Sequence, residues 1–163
     1  MSMLKPLCGT RRRRIPPSPG LPLQDAVKID RRSKMSYYFS KVISQGSFEN
    51  ALAKVRAALK EEGFGVLTEI DVKSTLKKKL DVDFRNYRIL GACNPQFAYK
   101  ALQTDDKIGT MLPCSVIVQQ TAGGQFEAAA IDPAASMKAI ENPDLEKIAD
   151  AVRTKLKRVI DSL

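Results

Sequence analysis

The residues of this chain best suited to chemistry are two cysteines, Cys93 and Cys114. Each stands where a strand meets a proline-containing turn, in Ala-Cys-Asn-Pro and Leu-Pro-Cys. On adjacent strands, two thiolates can hold a soft metal, shuttle a disulfide or carry a persulfide. Asn94 and Pro95 open a helix directly after Cys93, and a helix N-terminus lowers the pKa of a thiol beside it. The plainer expectation is that both are small buried hydrophobes, the usual fate of a free cysteine. Two thiols are too few for a closed structural zinc site unless a dimer supplies two more. No metal is expected, and the sequence identifies no cofactor.

A second constellation is Glu69 and Asp71, at alternate positions of one strand, with Lys73 just beyond. A carboxylate pair is the minimum for the acid–base work of a hydrolase or isomerase. Alternation groups Leu67, Glu69 and Asp71 on one face and Val66, Thr68, Ile70 and Val72 on the other. That grouping makes the acids the solvated side of the strand. A third constellation is cationic. Lys73, Lys77, Lys78 and Lys79 lie away from Leu76 and Leu80 on a short helix, and with Arg85 and Arg88 they would suit an anionic metabolite or phosphate. A charge run opposite an apolar stripe is ordinarily just the wet face of a helix.

What the chain lacks is as informative. It has no histidine, which removes Ser-His-Asp and Cys-His nucleophilic machinery, imidazole metal ligands and the usual neutral-pH acid–base group. There is no Gly-rich phosphate loop, no dinucleotide fingerprint, no Cys-x-x-Cys and no Gly-x-Ser-x-Gly. Three cysteines, Cys8 among them, do not make a secreted disulfide framework, so reduced thiols in a cytoplasm are expected. No apolar run is long enough for a membrane-spanning helix, and no membrane partner is expected.

The elements that must position these residues begin after a basic leader. Residues 1–34 hold nine of the 27 Lys and Arg but only two of the 18 acids, and so carry +7 of the net +9. They are rich in proline and lack apolar periodicity, which predicts a disordered tail. Met35 opens the folded pattern and is an alternative start. The remaining 129 residues are nearly neutral, which argues against a nucleic-acid partner for them. Strands are predicted at 36–44, 65–72, 85–93, 114–120 and 125–131. Ser47 caps a helix that Gly63 stops, and Asn94-Pro95, Asp132-Pro133 and Asn142-Pro143 each open another. Gly123-Gly124 marks a hairpin. The last helix carries a long stripe of Leu145, Ile148, Val152, Leu156, Val159 and Leu163. This is an α+β domain over 35–163, with a mostly antiparallel five-stranded sheet and helices packed on one face.

Several strings are distinctive: Gly-Val-Leu-Thr-Glu-Ile-Asp-Val-Lys (65–73), Leu-Lys-Lys-Lys-Leu (76–80), Asp-Phe-Arg-Asn-Tyr-Arg-Ile-Leu-Gly-Ala-Cys-Asn-Pro (83–95), Ala-Tyr-Lys-Ala-Leu (98–102) and Ile-Gly-Thr-Met-Leu-Pro-Cys (108–114). With Asp132-Pro133 and Asn142-Pro143 they resemble family 302 of the domains of unknown function, over nearly all of 35–163. The resemblance implies a β-α-β(4)-α-like arrangement of the TATA-box-binding-protein-like class and a homodimer, without importing DNA binding. The expected function is a homodimeric module that binds a small ligand in a cleft beside the sheet. The alternatives are a thiol-dependent redox or sulfur-handling protein using Cys93 and Cys114, and a hydrolase or isomerase using Glu69 and Asp71.

Overall fold

A computed structural model describes residues 36–43 and 46–163. The expectations for the tail lie outside the described residues. The chain runs β1 (Tyr38–Ile43), α1 (Phe48–Glu61), β2 (Gly65–Asp71), α2 (Val72–Leu80), β3 (Tyr87–Cys93) and α3 (Pro95–Thr104). A short 3-10 turn (Ile108–Met111) precedes β4 (Cys114–Gln120), β5 (Phe126–Ile131), α4 (Pro133–Ser136) and α5 (Pro143–Ser162). The sheet order is β1-β5-β4-β3-β2, and every neighbouring pair is antiparallel. The 3-10 turn has no counterpart in the sequence pattern.

The helix boundaries follow from local chemistry. Ser47 accepts from the Asn50 N–H at the start of α1. At its end Gly63 takes φ +82°, and Phe64 N–H reaches back to Leu59 O at 2.9 Å, a left-handed cap that closes the helix. Asn94, Asp132 and Asn142 cap α3, α4 and α5, each followed by proline at the first helical position.

One face of the sheet carries the core. Ala51, Leu52, Val55 and Leu59 of α1, with Val152, Leu156 and Val159 of α5, pack on Leu90, Val116, Val118, Ala128 and Ala130. The alanines of β5 keep that strand's inner surface low, so both helices come close to the sheet. A smaller cluster of Ala101, Ile108 and Leu145 joins α3 and the 3-10 turn to the start of α5. The two helices of the main core are also pinned at their ends. Glu62 receives a two-pronged bond from Arg158, at 2.7 Å on each oxygen, and Lys155 Nζ lies 3.3 Å away. The Arg158 bonds hold the Glu62 carboxyl down at about 2, from an ordinary 4.5, against desolvation that acts the other way and with help from Lys155.

The opposite face is bare of α1 and α5. Pairing register draws a row across all five strands: Ile70, Ile89, Ile117, Ala129 and Ser40. A second row runs Tyr87, Gln119, Glu127 and Val42. Ile70 and Val42 are roughly half exposed, at 48% and 44%. Gly91 lies on this face too. A Cβ added there would meet Pro113 Cγ at 2.6 Å and Thr68 Oγ1 closer still, so only glycine fits.

Two outcomes follow. Gly91→Ala should lose about 1–3 kcal/mol in urea denaturation through overpacking. Gly123→Ala, whose nearest neighbour would be 3.9 Å away, should stay within about 0.5 kcal/mol of wild type. Equal stability of the two variants would contradict the packing. Because Glu62 is depressed, its contribution is complete above about pH 4.5 and fades as the pH falls toward about 2. The gap in urea midpoint between wild type and Glu62→Gln should therefore narrow from pH 6 to pH 3; a constant gap would exclude this linkage.

Candidate functional site

The thiols end β3 and begin β4. Cys114 stands opposite Ala92, so Cys93 is one residue out of register with it. Both are free. Cys114 is buried, and burial pushes its pKa up to about 11, with a smaller contribution from Cys93. Burial raises the Cys93 pKa as well. At the N-terminus of α3, Asn94 Oδ1 accepts from the N–H groups of Gln96 at 3.2 Å and Phe97 at 3.5 Å, so the cap rather than the thiol engages those donors. Cys93, Asn94 and Cys114 line one narrow crevice with Phe64, Phe97 and Ile148, and its volume is about 30 Å³. That is the room of a single water molecule. Among the described residues no group of three or more Cys, Asp or Glu could hold a metal ion.

The carboxylate pair sits elsewhere than strict alternation implies. A bulge between Val66 and Thr68 shifts the register, so that Glu69 pairs with Leu90 and Asp71 with Arg88. Leu90 points into the core, so both acids lie on the helix side of the sheet, at its edge, and Thr68 and Ile70 take the bare face. There Arg56 of α1 bonds Glu69, and Arg88 reaches Glu69 at 3.2 Å and Asp71 at 2.7 Å. Asp71 also caps α2 through the Ser74 N–H at 2.8 Å. Two acids thus meet two guanidinium groups, and this closed set leaves no carboxylate poised to move a proton.

Two of the four lysines have partners among the described residues. Lys73 Nζ donates to Asn86 at 3.2 Å. Lys77 pairs with Asp81 at 2.9 Å and Asp83 at 3.3 Å, and those two carboxylates raise its pKa, Asp81 first. Asp71, Lys73 and Lys77 share an open groove of about 370 Å³ on α2; Glu69 is not part of it. Arg85 stacks over Phe84 at 4.7 Å and bonds Gln119 at 2.9 Å, so neither it nor Arg88 joins the lysines.

A more spacious cleft, about 550 Å³, opens between α4, the turn after it and the first half of α5. Its floor is Asp132, 3% exposed. One Asp132 oxygen accepts from Ala134 and Ala135 N–H at 3.1 and 3.3 Å, and the other accepts from Arg153 Nε at 3.0 Å. Arg153 also lies 5.8 Å from the Phe39 ring centre. Its two Nη groups have no partner among the described residues, and the side chain is half exposed at the cleft. Glu141, Glu146 and Asp150 line the same space, and their carboxylates form no ion pair among the described residues. Residue spacing alone does not reveal this site. Asp132-Pro133 and Asn142-Pro143 read as helix starts, and Arg153 reads as one cation on the polar side of α5.

The raised thiol pKa values leave both cysteines protonated at neutral pH. In a Cys8→Ser background, iodoacetamide should therefore label Cys93 and Cys114 more slowly than free cysteine at pH 7.5. Cys114 should be the slower, its rate still climbing toward pH 11. Labelling faster than free cysteine would restore an activated thiol.

Comparison with known proteins agrees with this architecture. No curated protein matches the chain. The crystal structure of an uncharacterized conserved protein DUF302 from Bacillus stearothermophilus is 29% identical, with a TM-score of 0.71 over 77% of this chain and 96% of that one. The model of the domain of unknown function DUF302 matches residues 40–163, most of the described fold. The chain therefore belongs to the DUF302 family.

Proposed function

We infer that this chain is a homodimeric module that binds a small ligand, without enzymatic machinery of its own. One observation carries the reading: a cleft of about 550 Å³ whose floor is a fully bonded, buried carboxylate and whose wall is a half-engaged arginine. Binding sites are ordinarily preformed concavities of this size with a few fixed polar groups. The thiols and the strand carboxylates have less in their favour, since the former are protonated in a water-sized crevice and the latter are neutralised by Arg56 and Arg88.

The homodimer is supported by the bare sheet face. Its central row of Ile70, Ile89 and Ile117 is apolar on three successive strands, and such a face is well suited to a second copy of itself laid across it. The Tyr87–Gln119–Glu127 row supplies a polar rim.

Native mass spectrometry of the full chain should give twice the chain mass, and Ile117→Asp should give the monomer. A monomeric wild type would remove the dimer. Thermal-shift screening against a metabolite collection should find a stabilising compound whose effect disappears in Ala134→Trp, which fills the cleft. A hit that survives that substitution would move the ligand elsewhere.

A further inference from the structure

The ligand class can be read from how α5 presents its charges. Glu146, Asp150 and Arg153 are spaced i, i+4, i+7 and line one wall of the cleft. At about 1.5 Å of rise per residue, Asp150 lies ~4.5 Å and Glu146 ~10.5 Å along the helix from Arg153. The ladder therefore runs cation, anion, anion. Arg153 does not pair with Asp150 below it, because Asp132 holds its Nε. That bond turns the guanidinium into an oriented fork whose Nη donors have no partner among the described residues. Glu141, across the cleft, adds a third carboxylate that forms no ion pair among the described residues.

We propose that the cleft takes a small α-amino acid with a cationic side chain, bound as the zwitterion along α5. Its α-carboxylate accepts from the Nη groups of Arg153. Its α-ammonium donates to Asp150, and the ammonium at the end of its side chain donates to Glu146. The gap of about 6 Å between the two acids along the helix matches the reach of a four-carbon side chain. The charge balance favours the same class. Asp132 and Arg153 neutralise one another, and the three remaining carboxylates outweigh Lys138, so a ligand of net positive charge is the complement of the lining.

This assignment rests on the ligand-binding reading of the cleft, and the test separates the two. The probes are L-lysine, cadaverine (which lacks the carboxylate) and L-norleucine (which lacks the second ammonium), titrated calorimetrically into the full chain at low salt. Lysine should bind at least tenfold tighter than either of the others. Arg153→Gln should weaken lysine and norleucine at least tenfold without weakening cadaverine. Asp132 keeps its two N–H donors in that variant, so the fold has support, and circular dichroism checks it. Asp150→Asn, at an exposed position, gives an independent reading and should weaken lysine without altering the melting temperature. Cadaverine binding as tightly as lysine, with Arg153→Gln indifferent, would overturn the zwitterion and leave an amine-binding cleft. No binding of any probe would overturn the proposal while a cleft-dependent hit from the metabolite screen kept the broader reading; silence in both would overturn both.

Discussion

A carboxylate that is 3% exposed must find its partners inside the protein, and Asp132 is the one charged residue buried to that degree among the described residues. Its two oxygens are met by three donors from two different elements. The backbone of Asp132 adds further ties, among them a bond from the Ser136 N–H to its carbonyl at 3.0 Å. Its N–H donates to Tyr37 O at 2.8 Å, and its carbonyl accepts from Ser136 Oγ at 2.9 Å. One residue thus joins the end of β5 to the start of β1, to α4 and to the middle of α5. Pro133 makes α4 begin at once, so the chain leaves the sheet in a tight turn rather than along α5. The cleft is the space between that turn and the wall of α5.

Two of the arginine–carboxylate clusters in this domain differ in how far the guanidinium is engaged. Arg88 and Arg56 meet Glu69 and Asp71, two charges against two, and Asp71 is further engaged as a helix cap. Each acid of that set has a guanidinium partner, although Asp71 also borders the groove on α2. Arg153 meets a single carboxylate through Nε alone, so its charge is balanced while its planar edge of donors is not filled. A guanidinium held at one point by a buried acid has already lost much of its rotamer freedom, which lowers the entropic cost of accepting a second carboxylate. Among the described residues no ion pair joins Arg153 to the exposed acids of α5.

The fold was largely legible because its boundaries are written in local chemistry. Ser47, Gly63, Asn94-Pro95, Asp132-Pro133 and Asn142-Pro143 each act within a few residues of themselves, and the structure uses all five as caps or stops. On the α5 stripe Leu145, Val152, Leu156 and Val159 are buried, and Ile148 and Leu163 are partly buried against the core. Pattern failed where the determinant was not local. The bulge at Val66/Thr68 depends on pairing with β3, and it moved Glu69 and Asp71 to the helix side of the sheet. The Asp132–Arg153 contact spans 21 residues and two helix starts, so no window contains it. Burial of Cys114 agrees with the plainer expectation for a free cysteine, but the Phe64, Phe97 and Ile148 side chains that line the crevice come from three separate segments.

The strand β5 is where the two halves of the functional reading meet. Along it Ala128, Ala130 and Asp132 point to the helix layer, and Glu127 and Ala129 point to the bare face. A partner laid on the bare face would cover Ile70 and leave Asp150 and Arg153 open, so association need not occlude the cleft. Both surfaces nevertheless require the same register. A slip of one residue would turn Ala129 inward and carry Asp132 out of its bonds, dissolving the cleft floor and the apolar row together. That slip is opposed on both sides, because β5 is paired along its length with β1 and with β4. An interior position in the sheet is therefore what lets a strand of such small residues hold a buried charge in place.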